Sequence, residues 1–150
     1  DRGSLAVTVP ASWHEIIRQP SERAPATILY RPASGAPFEV LITPVWDTTG
    51  SAGAPMLGAV RQRVQEMVDA FSDMTVERNP KVVEIKGAAG RGYYFSATLR
   101  EPRPGELKYL AQGVLTVGEL AITFTIRADS RKDRVVQDAL AMLTGAVLVK

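Results

Sequence analysis

The sequence has no cysteine and a single histidine, His14, among its 150 residues. The missing cysteine excludes thiolate catalysis, disulfides and the sulfur-rich zinc sites of structural domains. A general base needs a nucleophile and an orienting group beside it, and neither a G-x-S-x-G nor an H-E-x-x-H motif is present to supply them. We therefore expect a protein that is not an enzyme and that binds neither a metal nor a cofactor.

Long apolar runs and a strong charge of one sign are also absent. No run approaches the roughly 18 residues of a membrane-spanning helix, so we expect no integral membrane span. The 18 basic and 16 acidic residues leave a net charge of +2, too small to indicate nucleic acid as a partner. With 45% hydrophobic and 23% charged residues, the composition is typical of one globular domain over residues 1–150.

Alternation of apolar and polar residues, the pattern of a half-buried strand, recurs through most of the chain. It predicts strands at Leu5–Val9, Trp13–Arg18, Thr27–Arg31, Phe38–Trp46, Val82–Lys86, Tyr93–Leu99, Lys108–Val117 and Leu120–Ile126. Apolar residues at steps of three and four predict a helix over Pro55–Phe71, after a flexible connector at Asp47–Ala54, and a second helix that begins at Ser130 and ends at Gly145. Pro44 predicts that the end of the fourth strand leaves the sheet.

These elements predict an α+β fold. Phe38–Val45 and Tyr93–Leu99 are apolar on both sides, and each helix has one apolar stripe to bury. The sequence therefore predicts an α/β/α sandwich, an antiparallel sheet flanked by helices on both faces. Short links predict that the last three strands form an up-down-up meander, in which Gly118 opens a type II′ hairpin turn.

A V-P-x-x-W turn, Val9–Trp13, follows the first strand, and the segments Gly92–Tyr94, Leu115–Thr125 and Met142–Leu143 come later in the chain. In this order of elements, from about Leu5 to Leu148, the sequence resembles PsbP-like domains. Members of that family are typically non-enzymatic and include an extrinsic subunit of photosystem II, bacterial envelope proteins and a yeast nuclear-import factor that binds Ran. The resemblance implies an α/β/α fold and a binding role, and it assigns no ligand residue.

The compartment is predicted from three observations. They are the PsbP-like resemblance, the absence of cysteine, and a sequence that begins at Asp1 rather than at methionine. Together they favour a secreted, periplasmic or cell-envelope protein. A signal peptide, or the lipid anchor of a lipoprotein, would then precede residue 1.

Basic residues cluster at one end of the predicted meander. The strand ends, the loop before Lys108 and the start of the last helix contribute seven of them: Arg100, Arg103, Lys108, Arg127, Arg131, Lys132 and Arg134. Four acidic residues lie among them: Glu101, Glu106, Asp129 and Asp133. This basic rim is either a surface that attracts an acidic protein partner or a mixed, solvated end whose ion pairs contribute about 0–1 kcal/mol each.

Two functions fit the sequence. The first is a non-catalytic binding or accessory module of an exported or envelope protein, which binds a protein partner through the basic rim or a sheet edge. The alternative is a small-molecule or lipid-binding domain with a pocket between sheet and helix, which requires an apolar cavity of at least about 300 Å³. An enzyme would instead require polar groups that converge around His14.

Overall fold

The computed structural model describes residues 2–46 and 57–150. This part of the chain forms β1 Ser4–Ala6, β2 Trp13–Arg18, β3 Thr27–Pro32, β4 Glu39–Trp46, α1 Leu57–Phe71, β5 Val83–Lys86, β6 Gly90–Thr98, β7 Tyr109–Val117, β8 Leu120–Ala128, α2 Arg134–Thr144 and β9 Val147–Val149. The predicted connector at 47–54 and the predicted helix start at Pro55 lie outside the described residues.

Seven strands form one antiparallel sheet in the order β2-β3-β4-β8-β7-β6-β5. The predicted meander is confirmed, because β7 pairs with β6 on one side and with β8 on the other. Gly118, with φ of 59°, turns the chain between β7 and β8. β4 pairs with β8 along its whole length, from Glu39 opposite Arg127 to Trp46 opposite Leu120. Strands that are distant in sequence therefore lie side by side at the centre of the sheet.

A second sheet of two strands joins the two ends of the chain. β1 pairs antiparallel with β9, and Leu5 lies opposite Leu148. The sequence predicted a longer first strand, Leu5–Val9, and it did not predict β9. A strand of three residues shows too little alternation to be recognised from its pattern.

Strand β7 supplies side chains to both parts of the core. Leu115 packs in one cluster with Val136 and Leu143 of α2, and the neighbouring Val114 packs in another cluster with Val64 of α1. All five side chains are at most 2% exposed. Burying an aliphatic side chain of this size contributes about 1.5–3 kcal/mol, so β7 stabilises both of the clusters in which the helices pack.

The prediction of an α/β/α sandwich with helices on both faces is wrong. The fold is mostly β, a seven-stranded antiparallel sheet and a two-stranded sheet, and two short helices account for 19% of the residues that the structure describes. The error arose because strands that are apolar on both sides were expected to be covered twice by helices. Yet α1 packs on β6 and β7, and Val45 of the central strand β4 is 41% exposed. Neither helix in the described residues has the length and apolarity needed to cross a membrane.

Two predicted boundaries also differ from the structure. Pro44 does not take the end of β4 out of the sheet, because it pairs with Ile122 of β8. The pairing of β3 with β4 stops at Ile42, so the missing N–H of Pro44 interrupts no ladder on that side.

Helix α2 begins at Arg134 rather than at Ser130, because the N–H of Asp133 donates to the Ser130 carbonyl oxygen at 3.1 Å and closes a turn before the helix.

Gly113 allows two aromatic rings to meet over the centre of the sheet. It lies opposite Tyr94 of β6 and Phe124 of β8, whose ring centroids are 6.5 Å apart. A Cβ atom at position 113 would lie against the carbonyl oxygen of Tyr93 and 2.5 Å from the Cβ of Tyr94. The space that a side chain would need is therefore taken by the β6 backbone and by the Cβ of Tyr94.

We expect Gly113→Ala to lower the free energy of unfolding by about 1–3 kcal/mol, because the added methyl group must displace the β6 backbone. The matched control is Gly58→Ala in α1, where a Cβ meets nothing within 4 Å and alanine favours the helix by about 0.5–1 kcal/mol. Urea unfolding of both variants measures the difference. Equal stability of the two variants would contradict the close approach at Gly113.

Candidate binding site

A row of charged side chains crosses β3, β4 and β8 near one end of the sheet. Glu39 lies opposite Arg127, and its Oε1 accepts a hydrogen bond from Arg31 Nη2 at 3.0 Å. The side chains of Arg31 and Glu39 are 45% and 35% exposed, so this ion pair contributes only about 0–1 kcal/mol to stability. It nevertheless neutralises Arg31 and leaves Arg127 as the other cation of the row.

The loop between β6 and β7, residues 99–108, carries a third arginine, Arg103, to the same place. The base of the loop is closed by the Leu99 N–H, which donates to the Lys108 carbonyl oxygen at 2.8 Å. At its tip the Glu106 N–H donates to the Arg103 carbonyl oxygen at 2.9 Å. Gly105 makes this tight turn possible, because its φ of 81° is one that other residues rarely adopt.

Two open clefts meet at this loop. The hairpin cleft, about 600 Å³, lies between the β3–β4 turn and the loop, and its walls include Arg31, Phe38, Glu39, Arg103, Glu106 and Arg127. The helix-end cleft, about 550 Å³, lies where α1 ends, and it is lined by Phe71, Asp73, Met74, Leu99, Arg100, Glu101, Arg103, Glu106 and Arg127. Arg103, Glu106 and Arg127 line both clefts and mark the place where they meet.

The guanidinium groups of Arg103 and Arg127 form no hydrogen bond and no ion pair within the part of the chain that the structure describes. Each guanidinium group carries five N–H donors in a planar fork, which matches the two oxygens of a carboxylate. Two unpaired guanidinium groups at the junction of two clefts can therefore bind an anionic group from outside the chain. Glu106 lies on the same wall and lowers the local positive potential in part.

Aromatic packing positions one wall of the hairpin cleft. The ring centroid of Phe38 is 5.2 Å from that of Trp13, which in turn is 5.8 Å from that of Tyr30. Burial, followed by the nearby Glu15 carboxylate, raises the pKa of Tyr30 to about 12. The phenol therefore stays protonated at physiological pH, and Tyr30 supports the cleft as a core aromatic residue.

Three residues of the predicted basic rim line one cleft, and the other four lie outside both clefts. Arg100, Arg103 and Arg127 line the helix-end cleft. Arg100 also braces the fold, because its Nη2 donates to the Thr75 carbonyl oxygen at 3.2 Å. The remaining four residues are exposed and line neither cleft: Lys108, Arg131, Lys132 and Arg134.

Arg131 is held by a separate cluster around Glu77. Its Nη2 lies 3.9 Å from Glu77 Oε1, and its guanidinium group lies 6.0 Å from the ring centroid of Tyr109. The Glu77 carboxylate also accepts hydrogen bonds from the Thr98 N–H at 2.7 Å and from Thr98 Oγ1 at 2.9 Å. Burial alone would raise the pKa of Glu77, but these hydrogen bonds and Arg131 outweigh it and hold the pKa below its ordinary value of 4.5.

The lone histidine does not lie at the clefts. His14 is exposed on the edge strand β2, opposite Arg31 of β3, and it lines neither the hairpin cleft nor the helix-end cleft. Within residues 2–46 and 57–150, no three aspartate, glutamate or histidine side chains come together as a metal site would require.

Sequence analysis missed Arg31, Glu39 and Met74. The first two had a signal, because opposite charges on the two strands of a hairpin often pair across it, and Arg31 and Glu39 flank the β3–β4 turn. Met74 had none. The segment that contains Met74 follows α1 and shows no periodic spacing of apolar residues. Backbone hydrogen bonds attach it to the end of β6, and no local sequence pattern predicts them.

The fold is similar to a crystal structure of a protein from Bacteroides thetaiotaomicron VPI-5482, with a TM-score of 0.56 and 11% sequence identity. The likeness covers 100% of this chain and 50% of that chain, so this chain spans half the length of the protein it matches. At this identity the likeness concerns the fold alone. No protein-family model matches the chain, and no curated protein matches it.

We expect the cluster around Glu77 to make stability depend on pH. A carboxylate whose pKa is lowered in the folded state stabilises the protein above the pKa of the unfolded chain, and this contribution is lost as the pH falls through the folded-state pKa. Wild type should therefore melt at a higher temperature than Glu77→Gln at neutral pH, and the difference should shrink as the pH falls below about 4.5.

The control for this melting series is Glu22→Gln. Glu22 is exposed and has no partner among the described residues. Its substitution should leave the melting temperature close to that of wild type at every pH. A difference for Glu77→Gln that persists unchanged at low pH would mean that the carboxylate charge does not stabilise the fold.

Proposed function

We propose that the chain is a non-catalytic binding module whose two clefts hold an acidic segment of a partner protein. A single observation carries the proposal. Arg103 and Arg127, whose guanidinium groups have no partner among the described residues, both lie where the hairpin cleft and the helix-end cleft meet.

The charges of the hairpin cleft support an acidic partner. Arg31 and Glu39 neutralise each other through their ion pair. The charged groups that remain for a ligand in this cleft are therefore the guanidinium groups of Arg103 and Arg127 and the carboxylate of Glu106. Arg127 is also partly buried on the sheet. A carboxylate that binds there pairs with a partly buried arginine, where a charge-assisted hydrogen bond is stronger than at a fully exposed site.

A second candidate function is the binding of a small molecule or lipid. The helix-end cleft favours it, because Phe71, Met74 and Leu99 give this cleft an apolar part and its volume is about 550 Å³. The remaining residues of its wall are charged, however, and ligand pockets are lined mainly by apolar side chains. We therefore rank the protein-binding function first.

The proposal keeps the exported or envelope compartment that the sequence predicts. Its support is the PsbP-like resemblance and the absence of cysteine. We expect this module to bind a protein of the same compartment that has an exposed acidic segment. The PsbP-like resemblance itself stays a prediction, because the likeness to the Bacteroides protein concerns the fold alone.

The test uses a fluorescent, glutamate-rich peptide and measures its binding by fluorescence anisotropy. We expect Arg103→Glu and Arg127→Gln each to weaken affinity about fivefold to tenfold, because each removes a charge-assisted hydrogen-bonding group worth about 1 kcal/mol or more. Binding to wild type should also weaken when salt is raised from about 0.1 M to 1 M, since the screening length falls from about 10 Å to about 3 Å.

The matched control is Arg63→Glu, which makes the same change in net charge as Arg103→Glu. Arg63 is exposed on α1 and lines neither cleft. Its substitution should leave affinity within about twofold of wild type. If Arg63→Glu weakens binding as much as Arg103→Glu does, the peptide responds to net charge and the clefts are not the binding site.

A further inference from the structure

Met74 presents an apolar side chain to the helix-end cleft. It is 49% exposed, whereas Met142 in the core is 2% exposed. Isolated apolar residues on a surface are common and need no explanation. Met74 differs because it lines a concave site together with Phe71 and Leu99. The same cleft contains the two arginines with unpaired guanidinium groups, so it combines an apolar part with two free cations, and Asp73, Glu101 and Glu106 also line it.

The backbone around Met74 is held firmly in place. The Met74 N–H donates to the Phe71 carbonyl oxygen at 2.9 Å, and the Met74 carbonyl oxygen accepts a hydrogen bond from the Arg100 N–H at 2.9 Å. The next residue, Thr75, is fully buried and forms a β-bridge with Leu99. The exposed side chain therefore stands on a fixed backbone, and little backbone ordering is needed when a partner binds to it.

The two clefts are adjacent at the β6–β7 loop, because Arg103, Glu106 and Arg127 line both of them. A compact small molecule would fill one cleft. An extended peptide segment can instead contact the arginines at the junction and reach the apolar part beside Met74 at the same time. The shape therefore favours an extended segment of a protein as the occupant.

We infer that the bound segment carries a large apolar side chain next to its acidic residues. Its carboxylates bind Arg103 and Arg127, and its apolar side chain packs on Met74, Phe71 and Leu99. Met74 is then a specificity-determining residue for the apolar position, since the flexible thioether side chain adapts to apolar groups of different shape. This inference rests on the binding function proposed above and identifies the class of partner segment.

The experiment compares two labelled peptides of equal charge. One has a leucine among its glutamates, and in the other that leucine is replaced by serine. Wild type should bind the leucine peptide about tenfold more tightly, the change expected from burying most of an aliphatic side chain. Met74→Gln should reduce this preference to about threefold or less and leave the affinity for the serine peptide unchanged.

The matched control is Val76→Gln. Val76 is 59% exposed, lies in the same segment as Met74 and does not line the helix-end cleft. Its substitution should leave the preference for leucine at the wild-type value. Equal loss of the preference in Met74→Gln and Val76→Gln would overturn the assignment of Met74.

The outcomes separate this inference from the proposed function. If wild type binds both peptides equally and Arg103→Glu still weakens both, the apolar position is overturned and the acidic-partner function stands. If neither peptide binds, or if Arg103→Glu has no effect, the proposed function and the inference both fail. If dodecanoate displaces the leucine peptide at lower concentration than unlabelled peptide does, the cleft belongs to a small amphiphile and the inference is overturned.

Discussion

The pairing of β4 with β8 is the interaction on which the rest of the structure depends. It joins the strands of the first third of the chain to the later meander, through a ladder from Glu39 opposite Arg127 to Trp46 opposite Leu120. Without this ladder, Arg127 would lie at the edge of a four-stranded sheet. With it, Arg127 lies beside the Arg31–Glu39 ion pair, and the β3–β4 turn forms the far wall of the hairpin cleft.

Core packing fixes the register of that pairing and therefore fixes the site. Ile42, Phe124 and Ile126 are at most 1% exposed, and they alternate along their strands with residues that are less buried. A slip of one residue would turn Arg127 into the core and Ile126 out of it, because side chains alternate between the two faces of a strand. The charged row is thus held in place by the buried apolar residues of the same strands.

Local patterns predicted most elements and one part of the topology. The meander of β6, β7 and β8 followed from short links, and it correctly brought Arg100, Arg103 and Arg127 to one end of the sheet. Two results depended on long-range pairing and were not predicted. They are the position of β4 next to β8, which adds Arg31 and Glu39, and the attachment of the segment at Met74 to the end of β6. An alternation of apolar and polar residues identifies a strand, but it does not identify the strand with which it pairs.

Counting charges in the sequence also could not separate the arginines by their surroundings. The structure shows Arg131 beside the carboxylate of Glu77 and Arg100 bonded to a backbone carbonyl oxygen. Both side chains already have partners, and binding a ligand there would first require those contacts to be exchanged. Arg103 and Arg127 require no such exchange. Whether an arginine is available to a partner therefore depends on what else it contacts in the fold, and this makes the two unpaired residues, rather than the whole basic rim, the site to test.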